Sequence, residues 1–259
     1  MLRAMPRYRA VARAVVQRAR NPVEIVRGYY YSRHLPSPNT SPARERPKGQ
    51  LERYFDTYTV GRGIWKWRHY FDIYERHFAK FVGREVHLVE VGIFSGGSLE
   101  MWRHYFGDEC RIYGVDIEPA CLAYEGDGVQ VFIGDQASPA FWKDFRKAVP
   151  RVDILIDDGG HEPEQQIATL QAMLPYIQPG GVYLCEDSHG AFQPFHSFVD
   201  GLSRPLHAVK STEGSPPNPA HHHIASVHRY PLVTVIEKPE GPVEPFECPR
   251  HGTEWQPFL

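Results

Sequence analysis

The chain lacks the features that would place it in a bilayer, outside a cell or on a nucleic acid. No apolar stretch reaches the roughly 18 residues that a membrane-spanning helix needs, so no span is expected. The first residues show no apolar signal core followed by a small-residue cleavage site. Only four cysteines occur, Cys110, Cys121, Cys185 and Cys248, with neither a CxxC pair nor a disulfide-framework spacing. That pattern points to a reducing, cytoplasmic compartment. A net charge of −2 gives no global attraction to nucleic acid or to a membrane surface. No internal repeat is visible. What is present is a core: hydrophobic residues make up 42% and aromatics 13% of the 259 residues, too much for a disordered chain. The length suits one α/β domain of about 200 residues plus an extension.

Residues 1–48 form a distinct arm, with 11 Lys and Arg against Glu24 and Glu45 alone. Ala10 to Ala19 is expected to form a short basic helix, and Pro36, Pro38, Pro42 and Pro47 an extended linker. The arm reads first as a solvated, partly ordered segment, and second as a lid, an oligomer arm or a surface for an anionic partner. Residues 49–85 are expected to be a helical auxiliary segment. There Tyr70, Tyr74 and Phe78 recur at four-residue spacing, which suits a helix face packed on a domain. Residues 86–240 carry the main domain, and 241–259 a tail.

From Val86 short apolar runs alternate with amphipathic stretches. "VHLVEVG", "CRIYGVDI", "VQVFIGD", "VDILIDD" and "GGVYLCED" read as strands. "SLEMWRHYFG", "PAFWKDFRKAV" and "EPEQQIATLQAMLPYI" read as helices, the first stopped by Gly107. Alternation of this kind implies right-handed βαβ units and a mainly parallel sheet. "HHIASVHRYPLVTVIEK" adds two strands around Arg229-Tyr230-Pro231, suited to an antiparallel edge.

The chemistry gathers at the ends of these strands. "VEVGIFSGGS", from Val89 to Ser98, is a glycine-rich turn in which Gly92, Gly96 and Gly97 let the backbone approach a ligand. Its spacing, E-x-G-x-x-x-G-G, is not the dinucleotide GxGxxG. Asp116 closes the second strand, where an acidic side chain can accept from ribose hydroxyls. Asp135 and Gln136 close the third, with side chains able to read an adenine edge. Open α/β sheets bind ligands at this carboxyl edge, so together these residues point to a nucleoside-type cofactor.

The next two strands end in acidic pairs, Asp157-Asp158 and Glu186-Asp187. If the strands are neighbours, their ends lie about 5 Å apart. Like charges so close need a counter-charge, and a hard divalent cation supplies one. Asp158, Glu186 and Asp187 would offer three oxygens; solvated loop ends and helix caps are the plainer alternative. His161 follows three residues after Asp158. A free histidine takes a proton near neutral pH but is too weak a base to deprotonate an alcohol unaided, and a metal on the alcohol oxygen closes that gap. His161 also suits a helix N-terminus or a metal ligand. His189 is a candidate for the acceptor pocket. His221-His222-His223, and Cys248 with His251, are weak metal-site candidates.

Carried by "VEVGIFSGGS", "YGVDI", "GDQ", "IDDGGH" and "GGVYLCED" in that order, residues 86–237 resemble class I S-adenosylmethionine-dependent methyltransferases. The resemblance is to the magnesium-dependent sugar O-methyltransferases, such as the mycinamicin and macrocin O-methyltransferases. It implies a Rossmann-like sheet of seven strands, mostly parallel, with an antiparallel C-terminal edge hairpin and an N-terminal helical extension. It implies that Glu90, Gly92 and the turn through Ser95 and Gly96 hold the methionine part of S-adenosylmethionine. Asp116 would hold the ribose, Asp135 and Gln136 would lie near adenine, and Asp157 would face the cofactor or the turn. Asp158, Glu186 and Asp187 match the Mg²⁺ carboxylates, and His161 the general base. Where the family often has serine this chain has Gly160, which leaves the base in place. The implied acceptor is a sugar or glycoside hydroxyl, with a homo-oligomer expected and no nucleic-acid partner. Two rivals are a metal-dependent oxidoreductase or hydroxylase on the same fold and a non-catalytic cofactor-binding scaffold. The glycine spacing opposes a nicotinamide, and an iron triad would need a second histidine.

Overall fold

Short apolar runs with β-branched content set the strands, and the structure, a computed structural model, describes residues 22–37, 46–126, 128–208 and 216–254. The chain divides into two units, one up to Pro47 and one from Lys48. In the first, residues 22–32 form a helix, α1, whose apolar residues Val23, Ile25 and Tyr31 are exposed. Pro22 opens it, its fixed φ suiting a first helical turn. The helix expected over Ala10–Ala19 lies outside the described residues.

The second unit holds one seven-stranded sheet in the order β3-β2-β1-β4-β5-β7-β6. Its strands are β1 (Val86–Val91), β2 (Cys110–Asp116), β3 (Val129–Ile133), β4 (Ile154–Asp157), β5 (Val182–Cys185), β6 (Ser226–Tyr230) and β7 (Val233–Glu237). β1 to β5 are parallel, and the β6–β7 hairpin closes the sheet antiparallel to β5. This is the class I methyltransferase arrangement that the strand pattern and the resemblance imply.

The helices are α2 (Gln50–Thr57), α3 (Tyr70–Phe78), α4 (Gly97–Phe106), α5 (Pro139–Ala148), α6 (Pro163–Met173) and α7 (Pro194–Ser203). Successive strand residues point to opposite faces, so one sequence builds two cores. Leu88, Ile112, Ile156 and Leu184 pack against Leu51, Tyr74, Phe78 and Trp102 from α2, α3 and α4. Val89, Val115, Leu155 and Tyr183 pack on the other face against Trp142, Leu170, Met173 and Phe195 from α5, α6 and α7. Covered on both sides, the parallel strands read as near-continuous apolar runs.

Residues 50–82 are not one helix. α2 stops at Thr57, an irregular segment runs from 58 to 69, and α3 resumes at Tyr70. β-branched Thr57, Thr59 and Val60 and the glycines at 61 and 63 break the helix, Gly61 with a φ of 126°. The four-residue aromatic spacing does hold within α3, where Tyr70, Tyr74 and Phe78 are all buried. Gly107 ends α4 with a φ of 95°.

β1 pairs with β2 on one side and with β4 on the other, so chain direction over the sheet reverses between β1 and β4. Ligands of open α/β sheets bind at such a switch point, beyond the carboxyl ends of the strands. The register sets Val91 beside Val115 and Asp157, and Asp157 beside Cys185. Gly92, Asp116, Asp158 and Glu186 therefore emerge at one edge.

Candidate active site

A cavity of 740 Å³ opens at that edge, a size suited to a cofactor or small ligand. Its floor is the glycine turn after β1, the ends of β2 to β5 and the β4–α6 loop, and its roof is the segment carrying Ile64 to Trp67. Gly92, Ser95, Asp116, Asp135, Gln136, Asp158, His161, Glu186, Asp187 and His189 line it. Glu90, Gly96 and Asp157 do not.

On the β1–β3 side the polar groups are held by the backbone around them. Asp116 Oδ2 accepts from the Ile93 and Phe94 amides at 3.0 and 3.1 Å, and Oδ1 from the Glu118 amide at 3.0 Å. Asp116 thus pins the glycine turn while still facing the cavity. Asp135 Oδ1 accepts from the Ala137 amide at 2.8 Å. The glycines have a second physical reason. A Cβ on Gly92 would lie 2.0 Å from the Asp158 carbonyl oxygen, and one on Gly96 2.9 Å from the Tyr124 ring. Both also have positive φ. Their close approaches in this structure are to the protein itself.

Gln136 and Asp157 make contacts with each other beneath the site. Gln136 is buried, its Nε2 donating to Asp157 Oδ1 at 2.9 Å and to Thr169 Oγ1 at 3.1 Å. Its Oε1 accepts from the Gly160 amide at 2.9 Å. The side-chain amide clamps the β4–α6 loop. Asp157 is buried beneath the site and also accepts from Tyr183 Oη at 3.0 Å. Burial pushes its carboxyl up to about 6, against the hydrogen bonds from Gln136 and Tyr183. It supports the loop that carries Asp158 and His161, the turn role that was one of its two expected placements.

On the β4–β5 side the acidic residues are engaged by side chains from the auxiliary segment. Lys66 Nζ donates to Asp158 Oδ2 at 2.5 Å and to both Glu186 oxygens at 3.0 and 3.2 Å, and lies 3.6 Å from Glu90 Oε1. Tyr74 Oη donates to Glu186 Oε1 at 2.6 Å. Tyr70 Oη and Trp67 Nε1 donate to Asp187 Oδ1 at 2.5 and 3.2 Å. Sequence reasoning missed Lys66, Tyr70 and Tyr74 as site residues. The aromatic spacing of α3 marked both tyrosines as core, and only their hydroxyls reach the site.

One ammonium faces three carboxylates here. Burial works against the Lys66 charge, but Asp158, Glu186 and Glu90 outweigh it and hold the ammonium well above the usual lysine range. Burial, and then Asp158, push the Glu186 carboxyl above the usual carboxylate range. Burial does the same for Glu90, whose Oε2 accepts from Ser98 Oγ at 2.8 Å while Oε1 has no hydrogen-bond partner among the described residues. The cradle carries an excess of negative charge that a further cation would relieve.

His161 and Asp187 both adopt positive φ, 61° and 49°, without being glycine. Such backbone costs on the order of 1–3 kcal/mol per residue and gathers at functional sites. It brings His161 Nε2 to 3.9 Å from Asp187 Oδ2, while His161 Nδ1 is buried with no hydrogen-bond partner among the described residues. One donor atom each from Asp158, His161 and Asp187 lie within 4.8 Å of one another. Two carboxylates, an imidazole and an orphaned ring nitrogen suit a divalent cation. Glu186, expected as the third carboxylate ligand, accepts from Lys66 and Tyr74 in this structure.

The remaining histidines are placed elsewhere. His221 bonds to Leu206 O and the Asn218 amide, which accounts for it structurally. A second donor group, His77, His228 and Glu237, lies between α3 and the β6–β7 hairpin. His77 is hydrogen-bonded to Glu237 and Tyr230, and His228 to Ser226. His189 is exposed at the cavity, its Nε2 4.0 Å from Asp187.

Comparison with known proteins points to a methyltransferase domain. A family model described as a methyltransferase domain matches residues 89–188. The chain is 32% identical over 199 residues to an 8-demethyl-8-alpha-L-rhamnosyl tetracenomycin-C 2'-O-methyltransferase of Streptomyces olivaceus, covering 69% of this chain and 52% of that one. It is 32% identical over 190 residues to a demethylmacrocin O-methyltransferase of Streptomyces fradiae, covering 64% and 47%. The chain thus spans about half the length of the curated relatives it matches. Among solved structures, the MycE methyltransferase from the mycinamycin biosynthetic pathway, in complex with Mg, SAH and mycinamycin VI, superposes with a TM-score of 0.61. That match has 25% identity and covers 74% of this chain and 54% of the other.

Proposed function

Starting from a chain that carries a methyltransferase domain on a class I fold, we propose that it transfers the methyl group of S-adenosylmethionine to a sugar or glycoside hydroxyl with help from Mg²⁺. The observation that carries this reading is the meeting of Asp158, His161 and Asp187 at the sheet's switch point, beside a cavity large enough for cofactor and acceptor. The printed activities of the relatives, O-methylation of sugar-bearing natural products, support the acceptor class.

Bound S-adenosylmethionine supplies an already activated methyl group, and Mg²⁺ supplies a Lewis acid that lowers an alcohol's pKa. The protein's share is alignment and proton transfer. The glycine turn from Gly92 to Ser95 and the Asp116 carboxylate bind and orient the cofactor, with Asp135 toward its base. Asp158, Glu186 and Asp187 would hold the metal. His161 receives the acceptor's proton at Nε2, and Asp187 Oδ2, 3.9 Å away, stabilises the imidazolium formed. Trp65 and Trp67, 88% and 54% exposed on the cavity roof, offer aromatic faces to an acceptor. Holding the reacting oxygen in line with the methyl group is the larger contribution, because the cofactor needs no further activation.

The shared reach of Asp158, His161 and Asp187 also favours a second reading, in which His161 is a metal ligand rather than the base. Replacement of His161 by alanine separates the two. As base, its loss removes turnover and leaves Mn²⁺ affinity unchanged. As ligand, its loss weakens Mn²⁺ binding. The metal itself is tested by turnover on a glycoside panel, followed as S-adenosylhomocysteine release. EDTA is expected to abolish it and Mg²⁺ to restore it, and turnover that continues in EDTA removes the metal from the reaction. Cytoplasmic location and a homo-oligomeric state remain part of the proposal, the second tested by light scattering.

A further inference from the structure

Lys66 is the charged group of the cradle that the proposed chemistry does not use. Its side chain is 4% exposed, and its ammonium makes hydrogen bonds to Asp158 Oδ2 and to both oxygens of Glu186. A buried lysine at full charge must be paired, and here the pairing groups include two of the three carboxylates that the sequence assigns to a metal. Hard divalent cations need those same oxygens as ligands. An oxygen lone pair aimed at an ammonium 2.5 Å away is not free to point at a metal.

We propose that Lys66 is a built-in counter-cation that competes with the divalent ion for Asp158 and Glu186, so that metal entry displaces it; this inference rests on the metal-assisted function proposed above. Two features beyond the contact itself support it. Three carboxylates surround one ammonium, so the cradle offers oxygen donors to a second cation while the resident one occupies them. Lys66 also belongs to the irregular segment 58–69, and Trp67 Nε1 from the same segment donates to Asp187. The roof of the cavity is therefore latched to the acidic cluster that would take the metal. Displacing Lys66 releases one of those latches, which couples metal binding to movement of the roof.

The test is Mn²⁺ binding to the full chain and to Lys66→Met, by calorimetry or by the loss of the free-ion resonance signal. Met keeps the apolar stem and removes the charge. The variant is expected to bind Mn²⁺ at least tenfold more tightly, and to lose thermal stability in EDTA that Mn²⁺ restores. Equal or weaker Mn²⁺ affinity in a folded variant overturns the proposal. Should the variant not fold in EDTA, hydrogen exchange in the wild-type chain decides: Mg²⁺ is expected to speed exchange across residues 58–69, and unchanged or slower exchange overturns the proposal. Wild-type binding that equals that of Lys66→Met sinks this inference alone. Absence of Mn²⁺ binding to both proteins sinks the metal-assisted reading and this inference with it.

Discussion

The two halves of the carboxyl edge are built differently. On the β1–β3 side the polar residues are held by nearby amides, with Asp116 pinned by Ile93, Phe94 and Glu118, and Asp135 by Ala137. On the β4–β5 side the acids are held by Lys66, Trp67, Tyr70 and Tyr74, about a hundred residues away in sequence. In the first half the polar side chains are held by amides of the Rossmann-like domain itself, although the auxiliary segment also packs closely on the glycine turn at Gly97. The second depends on the auxiliary segment laid over it. A fold can therefore keep a cofactor half unchanged while acid chemistry and acceptor choice vary with the covering segment.

The largest effect that would sharpen this contrast is at His161. His161→Ala is expected to lower kcat by about 10²–10⁴-fold, the usual share of a general base, with S-adenosylhomocysteine affinity unchanged by calorimetry. A parallel loss of cofactor affinity would mean that the two halves are not separable. Asp116→Ala is the reciprocal change. It removes the acceptor for three backbone amides and should weaken S-adenosylhomocysteine binding by roughly tenfold or more, at about 1.5–3 kcal/mol per charged hydrogen bond, while Mn²⁺ affinity holds.

Tyr74→Phe tests the link from auxiliary segment to acid half. It leaves the buried Glu186 short of a donor that lies 2.6 Å away, and a loss of about 1–3 kcal/mol in denaturant unfolding is expected. No loss would mean that Lys66 alone satisfies Glu186.

A pH profile probes the junction between the halves. The Asp157 carboxyl is raised in the folded state from 3.8 to about 6, so the folded chain binds this proton more tightly than the unfolded one. The contribution to stability is fully present below 3.8 and is lost as pH rises through about 6. Stability of Asp157→Asn should therefore be flatter than wild type across that window, measured by urea unfolding at several pH values. The smallest effect is expected at the roof: Trp65→Ala should change stability by no more than about 0.5 kcal/mol, as exposed side chains do, while raising the acceptor KM.

Much of this was legible in the sequence because the signals were local. Apolar runs and turn residues marked all seven strands, and the acidic pairs stood directly at the ends of β4 and β5. Asp158, His161 and Asp187 were found this way, and the structure brings them together. Residues that act through distant partners were not legible. The direction of the Gln136 amide depends on Asp157, Thr169 and Gly160, and no spacing rule reveals that it turns inward. The partner of Glu186 was not legible either: its oxygens face Lys66, which stands 120 residues earlier. Lys66 itself lies between two tryptophans in "IWKWRHY", where a single lysine carries no signal of burial.

Calorimetric titration of the chain with S-adenosylhomocysteine tests the central claim most directly. Saturable one-site binding in the micromolar range, weakened by Asp116→Ala and indifferent to His161→Ala, is the expected result. No heat of binding at millimolar ligand, with the chain folded by circular dichroism, would contradict the assignment of a methyltransferase.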